Sequence, residues 1–239
     1  MIRTLFVIIW VVLVTCFLGT GIILVSFFSK DGNLIHSIAR LWAISILAAS
    51  RISVTVKGLS NIGSSNAYIF MSNHQSNFDI PVLMAHLPVQ SRWLAKAELF
   101  KIPLFGYAMK RAGYINIDRS NLRSAIISIK KAAKIVRNGV SVLIFPEGTR
   151  SQDGNIKPFK KGGFILAVES SVPVIPVTIY GTWPIMPKGH IRIRPGNVIL
   201  EIGTPIETIN YTKRTKDDLL EKVRRILCES FEKINKDKL

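Results

Sequence analysis

Ala67-Tyr68-Ile69-Phe70-Met71-Ser72-Asn73-His74-Gln75-Ser76-Asn77-Phe78-Asp79-Ile80-Pro81 opens as a short apolar run, breaks into polar residues and then turns helical. An apolar run of this length closed by turn formers reads as a buried strand. Asn77 can cap the next helix, and Pro81 is tolerated so near a helix start. The stretch is therefore a strand (Ala67–Ser72), a polar loop and a helix (Ile80–His86). The unit recurs downstream. Arg92–Ala95, Tyr114–Asp118, Val140–Phe145 and Val174–Tyr180 read as further strands, with Leu104–Arg111, Asn121–Asn138 and Lys161–Ser170 as helices between them. This alternation predicts an α/β domain with a largely parallel sheet flanked by helices. Beyond it, residues 190–205 read as two strands joined at Pro195-Gly196, and a last helix starts at Thr215 with Asp217 and Asp218 in its first turn.

The loops at the strand ends carry the chemistry. Ligands of an open parallel sheet bind outside the carboxyl ends of its strands. Four strands deliver polar groups to that edge: Asn73 to Asp79, then Lys96 with Glu98, then Arg119, then Pro146-Glu147-Gly148-Thr149-Arg150. Any one of these residues reads equally well as a satisfied surface group; their shared edge sets them apart. His74 and Asp79 would point about 140° apart on a regular helix. They meet only if His74 lies in the loop and Asp79 in the first helical turn. Asp79 then accepts a hydrogen bond from one imidazole nitrogen and leaves the other as a general base. Near Gly148, backbone N–H groups can approach an anion closely, and Arg150 offers a planar fork for phosphate. Lys96 and Arg119 would complete a cationic cup. Glu147 reads either as a partner for Arg150 or Lys96, or as a ligand for substrate hydroxyls.

Upstream, Thr4 to Ser29 contains no charged residue and is bracketed by Arg3 and Lys30. As one helix it would run ~39 Å, enough to cross a bilayer. Ser26-Phe27-Phe28-Ser29 offers no small-residue cleavage pattern, which disfavours a signal peptide. Leu34 to Ala49, polar at its start, reads as an interfacial helix. Gly19 and Gly21 could instead bend the first run into a hairpin entering one leaflet, and the sequence leaves both options standing. Residues 1–50 form an N-terminal helical membrane anchor in this reading, and 51–239 the catalytic domain. The chain has 32 Lys and Arg against 15 Asp and Glu, a formal net charge of +17. With a positive mean hydropathy, that excess fits an anionic membrane surface better than nucleic acid, for which no motif is present. The positive-inside bias places the basic remainder on the cytoplasmic side. Cys16 and Cys228 lie far apart with no metal-ligand spacing, so no zinc site or disulfide framework is expected.

Asn121–Asn138 is strongly amphipathic. Leu122, Ala125, Ile126, Ile129, Ala132, Ala133 and Val136 make one stripe, and Arg123, Lys130, Lys131, Lys134 and Arg137 take the opposite face. A solvated surface is the first reading of that face; contact with lipid headgroups or an acidic carrier is the second.

Four blocks then resemble one family. Asn73-His74-Gln75-Ser76-Asn77-Phe78-Asp79 is similar to the first motif of the 1-acylglycerol-3-phosphate acyltransferases, bacterial type. Gly113 to Arg119, Phe145 to Ser151 and Val172 to Val177 resemble the second, third and fourth, in the same order. Lys160-Lys161-Gly162-Gly163-Phe164 also fits. The resemblance implies a glycerolipid acyltransferase-like fold. It implies transfer of a fatty acyl group from acyl-CoA or acyl carrier protein to the sn-2 hydroxyl of lysophosphatidic acid, forming phosphatidic acid. By position it makes His74 the base and Asp79 its orienting partner. It assigns Glu147, Gly148, Thr149 and Arg150 to the acceptor site, and Arg119 and Lys96 to phosphate. It implies no metal and no resident cofactor, and a seat at the cytoplasmic (inner) membrane among anionic lipids. A sister enzyme acting on glycerol 3-phosphate, a lyso-ornithine lipid or another lysophospholipid is the alternative.

Overall fold

The computed structural model describes residues 1–28, 32–63, 67–117 and 122–237. Seven strands form one sheet: β1 (Ile52–Lys57), β2 (Ile69–Ser72), β3 (Ser91–Lys96), β4 (Ile115–Ile117), β5 (Ser141–Ile144), β6 (Val174–Tyr180) and β7 (Gly196–Ile202). Their order is β1-β7-β6-β2-β5-β3-β4. The run β6-β2-β5-β3-β4 is parallel throughout. β7 pairs antiparallel with β6, and β1 pairs parallel with β7. All four residues of β2 and of β5 are buried, as central strands covered on both faces must be.

Side chains alternate across the sheet at period two, and this sorts the helices. Phe70, Leu143 and Ile175 point into a core shared with α1 (Ile2–Phe28), α2 (Gly32–Ser50), α3 (Asp79–His86) and α4 (Phe105–Arg111). Ile69, Met71, Val142 and Ile144 point the other way, onto α5 (Leu122–Arg137), α6 (Gly162–Ser170) and α7 (Lys216–Lys236). β2 leads through α3 past β5 to β3, while β5 leads through α6 past β2 to β6. Two adjacent strands thus send their connections in opposite directions, which opens a crevice at their carboxyl ends.

α1 and α2 are long and apolar enough to cross a membrane by length and composition. They lie antiparallel: Arg3 donates to the Ser50 carbonyl, and the Trp42 indole N–H donates to Thr15 Oγ1 at 2.9 Å. Both ends of α1 also touch the sheet-bearing part. Thr4 Oγ1 accepts the Ile193 N–H at 3.2 Å. Ser26 is held by Arg111 of α4 through its hydroxyl (2.6 Å) and carbonyl (2.7 Å). The outward stripe of α1, including Leu5, Ile9, Leu13 and Phe17, is exposed.

Two expectations change. Only Gly196–Ile202 of residues 190–205 is a strand. Ile193 is buried with its N–H on Thr4, and Arg194 N–H donates to the Ile185 carbonyl. That preceding segment is therefore tied to loops and α1, and Pro195, which lacks an N–H, cannot extend a ladder. β1 was not anticipated, although Ile52, Val54 and Val56 alternate with polar residues. The expected start of α5 at Asn121, and the expected ends at Asp118 of the fourth strand and Ser29 of the first helix, lie outside the described residues.

Candidate active site

The loop after β2 is fixed at several points. Asn73 acts as an extra rung on β6: its Nδ2 donates to the Ile179 carbonyl and its Oδ1 accepts the Ile179 N–H, both at 2.8 Å. Ser76 Oγ donates to the Met186 carbonyl at 2.9 Å, and Gln75 Nε2 donates to the Gly154 carbonyl. Asp79 is the first residue of α3 and its side chain is fully buried. Asp79 Oδ2 accepts the backbone N–H of Gln75 (2.6 Å) and Ser76 (2.9 Å) and bonds His74 Nδ1 at 2.7 Å. A carboxylate there also complements the helix N-terminus. His74 thus lies in the loop and Asp79 in the first turn, the placement their contact was expected to need.

The imidazole is held from a second side. It stacks on Phe145, centroids 3.8 Å apart and planes within 9°. Phe145 leans in turn on Trp93 of β3 at 5.8 Å. With Nδ1 on an ionised Asp79, Nδ1 carries the proton and Nε2 the lone pair. Nε2 makes no hydrogen bond among the described residues, and the side chain is 15% exposed. The ring is thus oriented, basic at one nitrogen and open at the rim.

Glu147 faces inward, away from the cations the sequence offered it. It is 2% exposed. Oε1 accepts the His74 backbone N–H at 2.7 Å and Oε2 accepts the Lys157 N–H at 3.0 Å. Ser151 N–H closes the junction on the His74 carbonyl at 2.7 Å. Glu147 therefore buckles the β5 loop to the imidazole loop from behind, and among the described residues it pairs with neither Arg150 nor Lys96. Burial pushes its carboxyl up to about 7; the Lys157 and His74 backbone bonds pull against that, and the Asp79 charge adds to it.

Gly148 has a φ of +70°, the left-handed region open to glycine, and its N–H closes the turn on the Phe145 carbonyl at 3.0 Å. Gly148's own N–H is thus committed within the turn. Thr149 is exposed, and its Oγ1 accepts from Lys188 Nζ at 3.1 Å. Lys188 comes from the β6–β7 connection, and no local sequence signal links it to this rim. Arg150 is partly exposed and Lys96 exposed, each without an ion pair among the described residues. Arg119 lies outside the described residues.

Two cavities flank this junction. One of about 100 Å³ lies on the α1–α4 side, lined by Leu18, Gly19, Ile22, Trp42, Met84 and Trp93. The other, about 180 Å³, lies on the α5–α6 side against Ile129, Phe145, Pro146, Gly148, Lys160 and Gly162.

Known proteins share this arrangement. A family model described as Acyltransferase matches residues 53–180, which hold β1 through β6 and both loops. The chain is 39% identical over 198 residues to the 1-acyl-sn-glycerol-3-phosphate acyltransferase BAT2, chloroplastic, of Brassica napus, covering 82% of this chain and 56% of that one. It is 33% identical over 201 residues to the human 1-acyl-sn-glycerol-3-phosphate acyltransferase alpha, covering 84% and 71%. It spans about half the length of the plant relatives it matches. The crystal structure of the 1-acyl-sn-glycerophosphate (LPA) acyltransferase PlsC from Thermotoga maritima superposes with a TM-score of 0.85 at 28% identity, over 98% of this chain and 95% of that one. The oriented imidazole and the buckled loops thus sit inside a match that holds the sheet's parallel strands, and the chain belongs to the acyltransferase family.

Proposed function

We propose that the protein is a 1-acyl-sn-glycerol-3-phosphate acyltransferase. It moves a fatty acyl group from a thioester donor, acyl-CoA or acyl carrier protein, to the sn-2 hydroxyl of lysophosphatidic acid, yielding phosphatidic acid and a free thiol. The observation that carries this reading is the His74–Asp79 pair, with Nε2 open at the same crevice where Arg150 has no ion pair among the described residues. His74 Nε2 takes the hydroxyl proton as the oxygen attacks the thioester carbon. Asp79 stabilises the imidazolium so formed. The tetrahedral intermediate collapses, and the proton passes from Nε2 to the departing sulfur. Arg150, Lys96 and Arg119 hold the acceptor phosphate, with Gly148 and Thr149 shaping the turn beneath it; Glu147 positions the His74 loop. The apolar cavity behind Trp93 suits the donor's acyl chain, since Phe145 and Trp93 connect it to the imidazole. No resident cofactor enters the scheme.

The same reading puts the protein on one leaflet of the inner membrane, facing the cytoplasm. Because both ends of α1 are tied to the domain, the helix lies along the surface with its apolar stripe toward lipid rather than running across the bilayer. The test is acyl transfer by purified protein offered a panel of lysophospholipid acceptors and glycerol 3-phosphate. Lysophosphatidic acid should be preferred, and His74→Ala should abolish turnover while leaving the folded state intact. Retention of near-normal kcat by His74→Ala overturns the base assignment, and preference for another acceptor overturns the substrate.

A further inference from the structure

The exposed face of α5 has no part in the chemistry above. Arg123, Ile126, Ile127, Lys130, Lys131, Lys134 and Arg137 are all exposed. At 100° per residue they form one contiguous stripe. α5 contains no acidic residue, and none of its five cations is in an ion pair among the described residues. Lys130 and Lys134 are four apart, and Lys131, Lys134 and Arg137 are spaced at three. Such like-charge spacings destabilise an isolated helix. Ile126, expected on the buried stripe, lies at its border and is 44% exposed; with Ile127, 59% exposed, it ends the cationic stripe on the side nearest the crevice. An apolar pair set in a field of cations is what an acidic partner with an apolar patch fits; bulk ions or solvent gain nothing from the isoleucines.

The partner is not the lipid surface. α1 and α2, with their exposed apolar stripe, cover the opposite face of the sheet from α5. A protein seated by α1 therefore turns α5 toward water. The stripe is also close to the reaction. Ala125 and Ile129 of α5 line the second cavity together with Phe145, Pro146 and Gly148, and Phe145 is the ring on which His74 stacks. Resting on the acyltransferase reading, we infer that the α5 stripe docks an acidic acyl carrier protein, and that the slot beside Phe145 admits the arm carrying its thioester. The donor is then delivered from the aqueous side, while the acceptor arrives from the membrane side.

The experiment compares one acyl chain presented on CoA and on an acidic carrier protein, using the full-length protein. The variants are Lys130→Glu/Lys134→Glu and, as a milder change, Ile127→Ser. In wild type, KM for the carrier-bound donor should rise steeply with salt. The double variant should raise that KM at least tenfold and flatten its salt dependence, with kcat/KM for acyl-CoA within twofold of wild type. Ile127→Ser should raise the carrier KM severalfold with the salt dependence unchanged. An unchanged carrier KM in the double variant overturns the docking site. So does equal loss with both donors, which would place CoA or a structural role on α5, and so does a wild type that uses only acyl-CoA. Absence of transfer from either donor in wild type overturns instead the acyltransferase reading on which this rests.

Discussion

Replacing Glu147 by Gln should make the protein's stability depend on pH in a way that reports the buckle between the two loops. The folded carboxyl titrates at about 7 against an ordinary 4.5. The folded chain therefore holds an extra proton between those values, and stability falls as pH rises through that window. At ~1.4 kcal/mol for each tenfold difference in proton affinity, the loss is about 3 kcal/mol and is complete above neutrality. Gln removes this slope, because it never ionises. It adds a fixed cost: its amide NH₂ must face either the His74 or the Lys157 N–H, leaving one buried donor unmatched at about 1–3 kcal/mol. The variant should thus be less stable than wild type by about 1–3 kcal/mol at pH 5, where wild-type Glu147 is largely protonated. By pH 8 the two should be equal, or the variant slightly ahead. Thermal or urea unfolding of both proteins across that range in the same detergent measures the difference directly. A difference that stays constant with pH refutes the reasoning, because it would mean that Glu147 titrates alike in the folded and unfolded chains.

Two further predictions concern the crevice and a third the packing of α4. Asp79→Asn keeps the acceptor geometry of Oδ2 in one rotamer but removes the charge that steadies the imidazolium, so kcat should fall by about 10²–10⁴ with little change in KM; a loss under threefold would separate Asp79 from the chemistry. Arg150→Ala should raise the acceptor KM about tenfold or more, as expected for one charge-assisted phosphate contact, with kcat for saturating acceptor nearly kept; an unchanged KM removes Arg150 from the phosphate site. Gly106→Ala should destabilise the fold without specific kinetic effect. Its Cβ would lie 2.4 Å from the Phe100 carbonyl oxygen, so backbone must shift; wild-type thermal stability would show that this turn yields freely.

Local grammar carried much of this protein into view. The polar loop after Ser72 and the turn after Ile144 were legible because strand, loop and helix succeed one another within a dozen residues and the loop chemistry is concentrated there. The His74–Asp79 contact was predictable because its geometry depends on one local turn. What stayed hidden depends on distance along the chain. β1 pairs with β7, whose partner residues lie more than a hundred positions away. The alternation Ile191-Arg192-Ile193-Arg194 imitates a strand, yet contacts with Thr4 and Ile185 decide its course. Glu147 follows its strand toward the same sheet edge as Arg150 and Lys96, which suggested ion pairs. The backbone instead turns its carboxylate inward, and no composition argument gives the direction of a turn. Lys188 reaches Thr149 from a different connection, and such a meeting is visible only in three dimensions.

Leu18, Gly19 and Ile22 of α1 and Trp42 of α2 form one wall of the apolar cavity. A water-soluble fragment made by trimming residues 1–50 would therefore be unroofed, with Met84 and Met109 left facing solvent. The way to a soluble version is to repaint rather than cut. Polar residues at Leu5, Ile9, Leu13 and Phe17 would change only the outward side, while Val7, Gly19 and Ile22, which face inward, keep the vessel closed.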